Sequence, residues 1–156
     1  MVAIDKSEIT QDIWKNFFDI LNNNVSDVTA TDNSVHSVQF YASAFPDKVA
    51  DSKSSYPIVL VESPNLSWED FTFTKKWVNG TITLDVFSTK AEVTDKMIDD
   101  VINLVETARD SLRDLGLMNV SLDSTDKDEF FRGQIKVHVK SATFTFRYIF
   151  TKTQTY

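Results

Sequence analysis

Phe71-Thr72-Phe73-Thr74-Lys75-Lys76-Trp77-Val78-Asn79-Gly80-Thr81-Ile82-Thr83-Leu84-Asp85-Val86-Phe87 is the stretch on which the fold turns. Asn-Gly is the dipeptide of a type I′ turn, in which both central residues take positive φ, and polar and apolar residues alternate on either side of it. The pattern predicts a hairpin with Asn79 and Gly80 at its turn. Val78 then faces Thr81, Trp77 faces Ile82, Lys75 faces Leu84 and Phe73 faces Val86. One face is apolar; the other carries Thr72, Thr74, Lys76, Thr83 and Asp85, with Lys76 and Asp85 as diagonal neighbours of opposite charge. Lys75, alone among the apolar positions, is read as a packed stem whose ammonium reaches water.

Downstream of the hairpin, start and stop signals define a long helix. Thr94 is the expected N-cap, with Val93 stapled to Ile98, and the core stripe is Ile98, Val101, Ile102, Val105, Ala108, Leu112 and Leu115. Gly116 supplies a left-handed C′ position, and Leu117 folds back on Leu112. The opposite face (Asp95, Asp99, Asp100, Asn103, Glu106, Asp110 and Asp114) is acidic and wet. Met118, Val120 and Leu122 then alternate, Asp123 to Glu129 reads as an acidic loop, and two period-two runs close the chain: Ile135, Val137, Val139, then Phe144, Phe146, Tyr148, Phe150. Between them Lys140-Ser141-Ala142 has neither Gly nor Pro, which leaves a tight turn and a bulged long strand both open.

Upstream, Ile9, Ile13, Phe17 and Ile20 form a helical stripe within Ser7 to Leu21, and Asp5 and Glu8 have the spacing of a capping box. Trp14, Phe18 and Leu21 widen that stripe to nearly half the circumference. Asn22 to Ser34 is a polar loop, Val35 to Ala42 a strand, and Phe45-Pro46-Asp47-Lys48 opens a second polar loop that runs through Ser55. Tyr56-Pro57 leads in extended fashion into the buried strand Ile58-Val59-Leu60-Val61, ended by Glu62-Ser63-Pro64-Asn65. Strands segregated from two helices give an α+β class: one domain over residues 1–156, an antiparallel-rich sheet with both helices on one face.

Composition narrows the function. The 156 residues are 42% hydrophobic and 25% charged, with a net charge of −7 and no cysteine. Without cysteine there is no disulfide, thiolate nucleophile or zinc ribbon, and the expected setting is cytoplasmic. The longest apolar run is Ile58 to Val61, so no membrane span is expected, and the first residues lack a signal peptide's basic start and apolar run. An acidic balance argues against a nucleic-acid footprint. His36 and His138 sit in strand patterns on the polar side, a setting for solvated histidines rather than a catalytic pair. Three isolated glycines build no phosphate loop. In Asp123 to Glu129, Asp128 stands where a calcium loop needs Gly. No carboxylate pair is marked by an apolar setting. No catalytic residue, metal ligand or cofactor is expected, and the chain does not read as an enzyme.

The order of these elements resembles that of the tail terminator proteins of long-tailed bacteriophages. The matching positions are Phe45-Pro46-Asp47, Tyr56-Pro57-Ile58-Val59-Leu60-Val61, the stretch Phe71 to Phe87 with Lys75-Lys76 and Asn79-Gly80, and Asp95 through Leu117. The resemblance implies a structural virion protein, made in the host cytoplasm and located in the tail-neck region. It would cap the tail tube as a homohexameric ring, stop tube polymerisation and meet the head connector, with DNA passing through unbound. A closed ring needs two different patches on each subunit. Trp14, Phe18, Lys75 and Trp77 are the expected contact residues, with the loop from Asp47 to Ser55 as a further supplier. Asp123, Asp126, Asp128 and Glu129 are the expected lumen-facing acids, repelling DNA. Rival readings are a head-completion or neck connector adaptor, a small cytosolic enzyme, and a monomeric binding module that uses the aromatic sheet face.

Overall fold

Along Val78, Gly80, Ile82, Leu84 and Val86 every second residue is apolar or lacks a side chain, and a strand that buries one face needs that period. A computed structural model describes residues 1–22, 24–25, 39–42 and 56–151, and in it this run is one uninterrupted strand. The chain order is α1 (Ile9–Leu21), β1 (Gln39–Ala42), β2 (Ile58–Val61), β3 (Asn65–Asp70), β4 (Lys75–Ser88), α2 (Ala91–Thr107), α3 (Arg109–Asp114), β5 (Met118–Arg132) and β6 (Ile135–Thr151). The strands form a single six-stranded sheet of order β1-β2-β4-β6-β5. β2 and β3 lie one after the other along the same edge of β4, β1 joins β2 in parallel, and every other pairing is antiparallel. The expected strand at Val35 to Ala42 is described only as β1; the loops expected through Ser34 and from Phe45 to Ser55, and His36, lie outside the described residues.

The expected hairpin turn at Asn79-Gly80 is overturned. β4 passes straight through both residues, paired to Arg147 and Phe146 of β6 on one side and to Ser67 and Leu66 of β3 on the other. The ring of Phe146 is the reason. A β-carbon on residue 80 would stand 2.3 Å from its Cζ and 2.9 Å from a Leu66 methyl, so only glycine fits beneath the ring. The turn lies upstream, between Asp70 and Lys75, where Phe71 and Thr72 both donate backbone N–H to the Lys75 carbonyl and the Thr72 hydroxyl accepts from the Lys75 N–H at 3.1 Å. Every predicted cross-strand partner changes with it. Trp77 faces away from Ile82, and Lys76 pairs with Asp70 at 3.6 Å rather than with Asp85.

The helices cover one face, as expected for the α+β class. Their apolar side chains meet Val59, Val61, Ile82, Leu84, Val86, Val120, Ala142, Phe144 and Phe146 in one core. On α1, Ile9, Ile13, Phe17, Ile20 and Leu21 are buried, matching the predicted stripe, but the capping box is absent: Asp5 accepts from the Ser7 N–H and hydroxyl, and Glu8 caps nothing with its side chain. The second helix starts earlier than Thr94, because β4 ends at Ser88, whose hydroxyl accepts the Lys90 N–H at 3.2 Å. Thr94 is therefore internal and buried, its hydroxyl donating back to the Ala91 carbonyl at 2.6 Å. The helix also breaks at Ala108, giving α2 and α3. Its predicted end holds: Gly116 has φ 97, Leu117 N–H donates to the Leu112 carbonyl and Gly116 N–H to that of Arg113.

Two further expectations fail at the far edge of the sheet. Asp123 to Glu129 is not a loop but the middle of β5, held in register by β6 from Thr143 to His138. β6 in turn runs unbroken through Lys140-Ser141-Ala142; the irregularities fall in β5, between Met118 and Ser121 and between Leu122 and Ser124. A turn of Gly133 and Gln134, with φ 62 at the glycine, joins the two long strands.

Gly80→Ala should cost about 1–3 kcal/mol, the range for forcing extra volume into a packed core. Urea denaturation checks this, and the increment should shrink in a Phe146→Leu background; an equal increment there would mean that the ring is not what excludes the methyl.

Candidate functional site

The helix-free face of the sheet carries most of the chemistry. At its middle it is a hydroxyl ladder: Thr83 and Thr143 hydroxyls lie 3.2 Å apart, and those of Ser121 and Thr145 3.1 Å apart. Toward the Ser88 end of β4 stand two carboxyls, Asp85 and Glu62, with the Ser141 hydroxyl donating to Asp85 at 2.5 Å. Burial pushes both above their ordinary 3.8 and 4.5, and for Glu62 the neighbouring charge of Asp85 adds to the effect. The pair can share a proton. Among the described residues no histidine faces Ser141, since His138 points to the other face of β6, beside Glu129 at 3.7 Å. Ile58, Leu60, Phe87 and Val137 form a small second core beside it.

The other end of this face is built differently. Arg147 of β6 donates from Nε to Asn79 Oδ1 at 2.8 Å, its guanidinium lies 4.2 Å from the centre of the Trp77 ring, and it reaches Glu69 of β3 at 3.9 Å. Three strands are thereby tied at the root of the β3–β4 hairpin. Beyond this root the hairpin projects aromatic residues into water. Trp68 is 49% exposed, Phe71 52% and Phe73 fully so. Phe71 also touches Trp77, with ring centres 5.4 Å apart, and Trp68 meets Phe150 edge-on at 5.2 Å. Lys75 is exposed at the start of β4.

Of the expected contact residues, Lys75 and Trp77 come together at this hairpin. Trp14 and Phe18 do not join them. Their rings stack at 4.9 Å on α1, partly buried against the protein's own core, and the Trp14 indole N–H donates to the Val61 carbonyl at 2.9 Å, pinning the helix to β2. Asp123, Asp126, Asp128 and Glu129 lie along β5, all exposed; among the described residues Glu129 alone of the four has an ion-pair partner, Lys136 at 3.3 Å. Trp68, Phe71, Phe73 and Arg147 were missed in the sequence. The available signal was aromatics interleaved with Glu69, Asp70 and Thr72 outside any unbroken apolar period.

Among the described residues, no group of three acidic or histidine side chains is placed to hold a metal, and no helix is long and apolar enough to cross a membrane. No protein-family model matches the chain, and no curated protein matches it.

A carboxyl whose folded pKa lies above its unfolded value holds its proton more tightly in the folded state. Its contribution therefore falls as pH rises through the window above the ordinary carboxylate value. Asp85→Asn removes one charge of the pair, so the variant should gain on the parent in urea midpoint between about pH 4 and about pH 7; a difference that is flat with pH would rule out the shared proton. Trp14→Phe should cost about 1–3 kcal/mol by orphaning the Val61 carbonyl, and thermal unfolding reads it directly.

Proposed function

We propose that this protein works by association, as a ring-forming structural component of a bacteriophage tail that caps the tail tube and offers a surface to the head connector. The observation that carries the reading is the β3–β4 hairpin, where Trp68, Phe71 and Phe73 stand in water within six residues. Exposed aromatics gathered on one projection are a contact surface in waiting, because a monomer gains nothing by wetting them. The Arg147 clamp keeps the root of the projection fixed, so little conformational freedom is lost when it docks. The order of elements supplies the partner class, through its resemblance to tail terminators. The mechanism is binding without turnover, with specificity set by shape and charge on the ring's two faces.

Native mass spectrometry of the protein, alone and then with tail-tube protein, tests this. Sixfold species, alone or only on tube ends, are expected. Single copies that ignore the tube would refute the capping role and favour an adaptor on the portal side.

A further inference from the structure

The Asn79-Gly80 dipeptide has a reactivity that the fold keeps out of use. In an open chain the Gly80 nitrogen, once it loses its proton to hydroxide, attacks Cγ of the Asn79 side chain. The N–Cγ bond forms, the Cγ–Nδ2 bond breaks and ammonia leaves. Water then opens the resulting succinimide at either carbonyl, leaving aspartate, or isoaspartate with one more methylene in the backbone. A β-carbon on the following residue hinders the attack, and glycine has none. Residue 80 must be glycine because the Phe146 ring fills the space above it. The close approach within the sheet thus demands the neighbour that makes Asn79 labile.

In the folded protein three constraints oppose ring closure. β4 is flanked by β3 and β6 at both residues, so the Gly80 N–H is committed to the ladder and is not free to ionise. Closure also brings the Asn79 Cβ into the plane of the Asn79–Gly80 peptide, which an extended residue, with ψ about +135°, does not do. The side chain is held as well: Oδ1 accepts from Arg147 Nε at 2.8 Å, and Nδ2 donates to Glu69 at 3.4 Å. Arg147 belongs to β6 and Glu69 to β3, so the hold exists only with both strands in place.

We infer that Asn79-Gly80 is a latent self-modification site, silenced by the closed sheet and released when β4 parts from its neighbours. The isoaspartyl product is one-way. Val78 pairs with Tyr148 and Ile82 with Phe144, and a backbone lengthened between them loses one register or the other, where the Phe146 ring leaves no slack. A chain left open too long is marked covalently and barred from the closed sheet.

The test follows deamidation at residue 79 by peptide mass mapping with isoaspartate detection, on the full chain in mildly alkaline buffer, with and without urea. Reaction proceeds through the opened fraction, so folded protein should react at least about tenfold more slowly than unfolded protein. Arg147→Gln removes the donor to Oδ1 and should react several-fold faster than the parent in buffer, at the parent's rate in urea. Trp14→Phe, which weakens the fold at α1 and leaves the clamp intact, should gain less. Equal parent rates with and without urea would overturn the shielding, and equal gains for the two variants would overturn the clamp's part in it. When protein aged in urea is returned to buffer, isoaspartyl chains should be depleted from the folded fraction; an undepleted fraction would overturn the one-way product.

Discussion

The ring of Phe146 occupies the space where residue 80 would carry a β-carbon, and the sheet is organised around that close approach. With no side chain there, β4 and β6 pair along their whole common length, from Lys75 opposite Thr151 to Ser88 opposite His138. That long central ladder gives β2 and β3 a shared edge on one side and β5 an edge on the other. It also fixes which residues face the helices: Ile82, Leu84 and Val86 on β4, with Ala142, Phe144 and Phe146 beside them on β6. A turn at residue 80 would have halved β4 and turned Trp77 onto the same face as Ile82.

Moving the turn upstream changes what the aromatic residues are for. Phe73, paired with Val86 in the hairpin that Asn-Gly predicts, would have been a core residue; at the real turn it has no neighbour to pack on and is fully exposed. Trp77 goes to the helix-free face and becomes the platform for Arg147. Three exposed aromatic side chains, Trp68, Phe71 and Phe73, thus sit on a clamped projection, and the acid-rich strand lies across the sheet from it.

Much of this architecture was legible in the sequence. The α1 stripe, the short buried β2, the Schellman end at Gly116 and the period-two aromatic run of β6 are local patterns whose physics is contained in a few residues. The α+β class followed from their order. What failed was a contest between two local signals at one dipeptide. Asn-Gly argues for a turn, whereas the phase of Val78, Ile82, Leu84 and Val86 runs unbroken through Gly80, which argues for a strand with a close neighbour. A sheet partner some sixty residues away decides it, and no local window contains Phe146. The predicted pairing of Val78 with Thr81, apolar against polar, was the internal sign of trouble. The acids of β5 misled for a similar reason: Asp and Glu disfavour strands, but β6 supplies a complete partner ladder and water takes the side chains. Thr94 is a good cap by type, yet the helix start was set by where β4 ends. The exposed hairpin was illegible because exposure depends on a turn whose position had not been fixed.

The central ladder has a kinetic consequence. β3–β4 and β5–β6 are hairpins of neighbouring strands, and each can zip within microseconds of its turn forming. Joining them brings together Thr83 and Thr143, with α2 and α3 lying between in the chain, and such non-local pairing carries a loop-closure cost that slows folding. Until that seam closes, two greasy half-sheets with open edges coexist in the same nascent chain, each a template for its counterpart in another. The aspartates along β5 then act before any assembly exists, as gatekeepers that make the wrong chain a poor partner while the right one is still arriving.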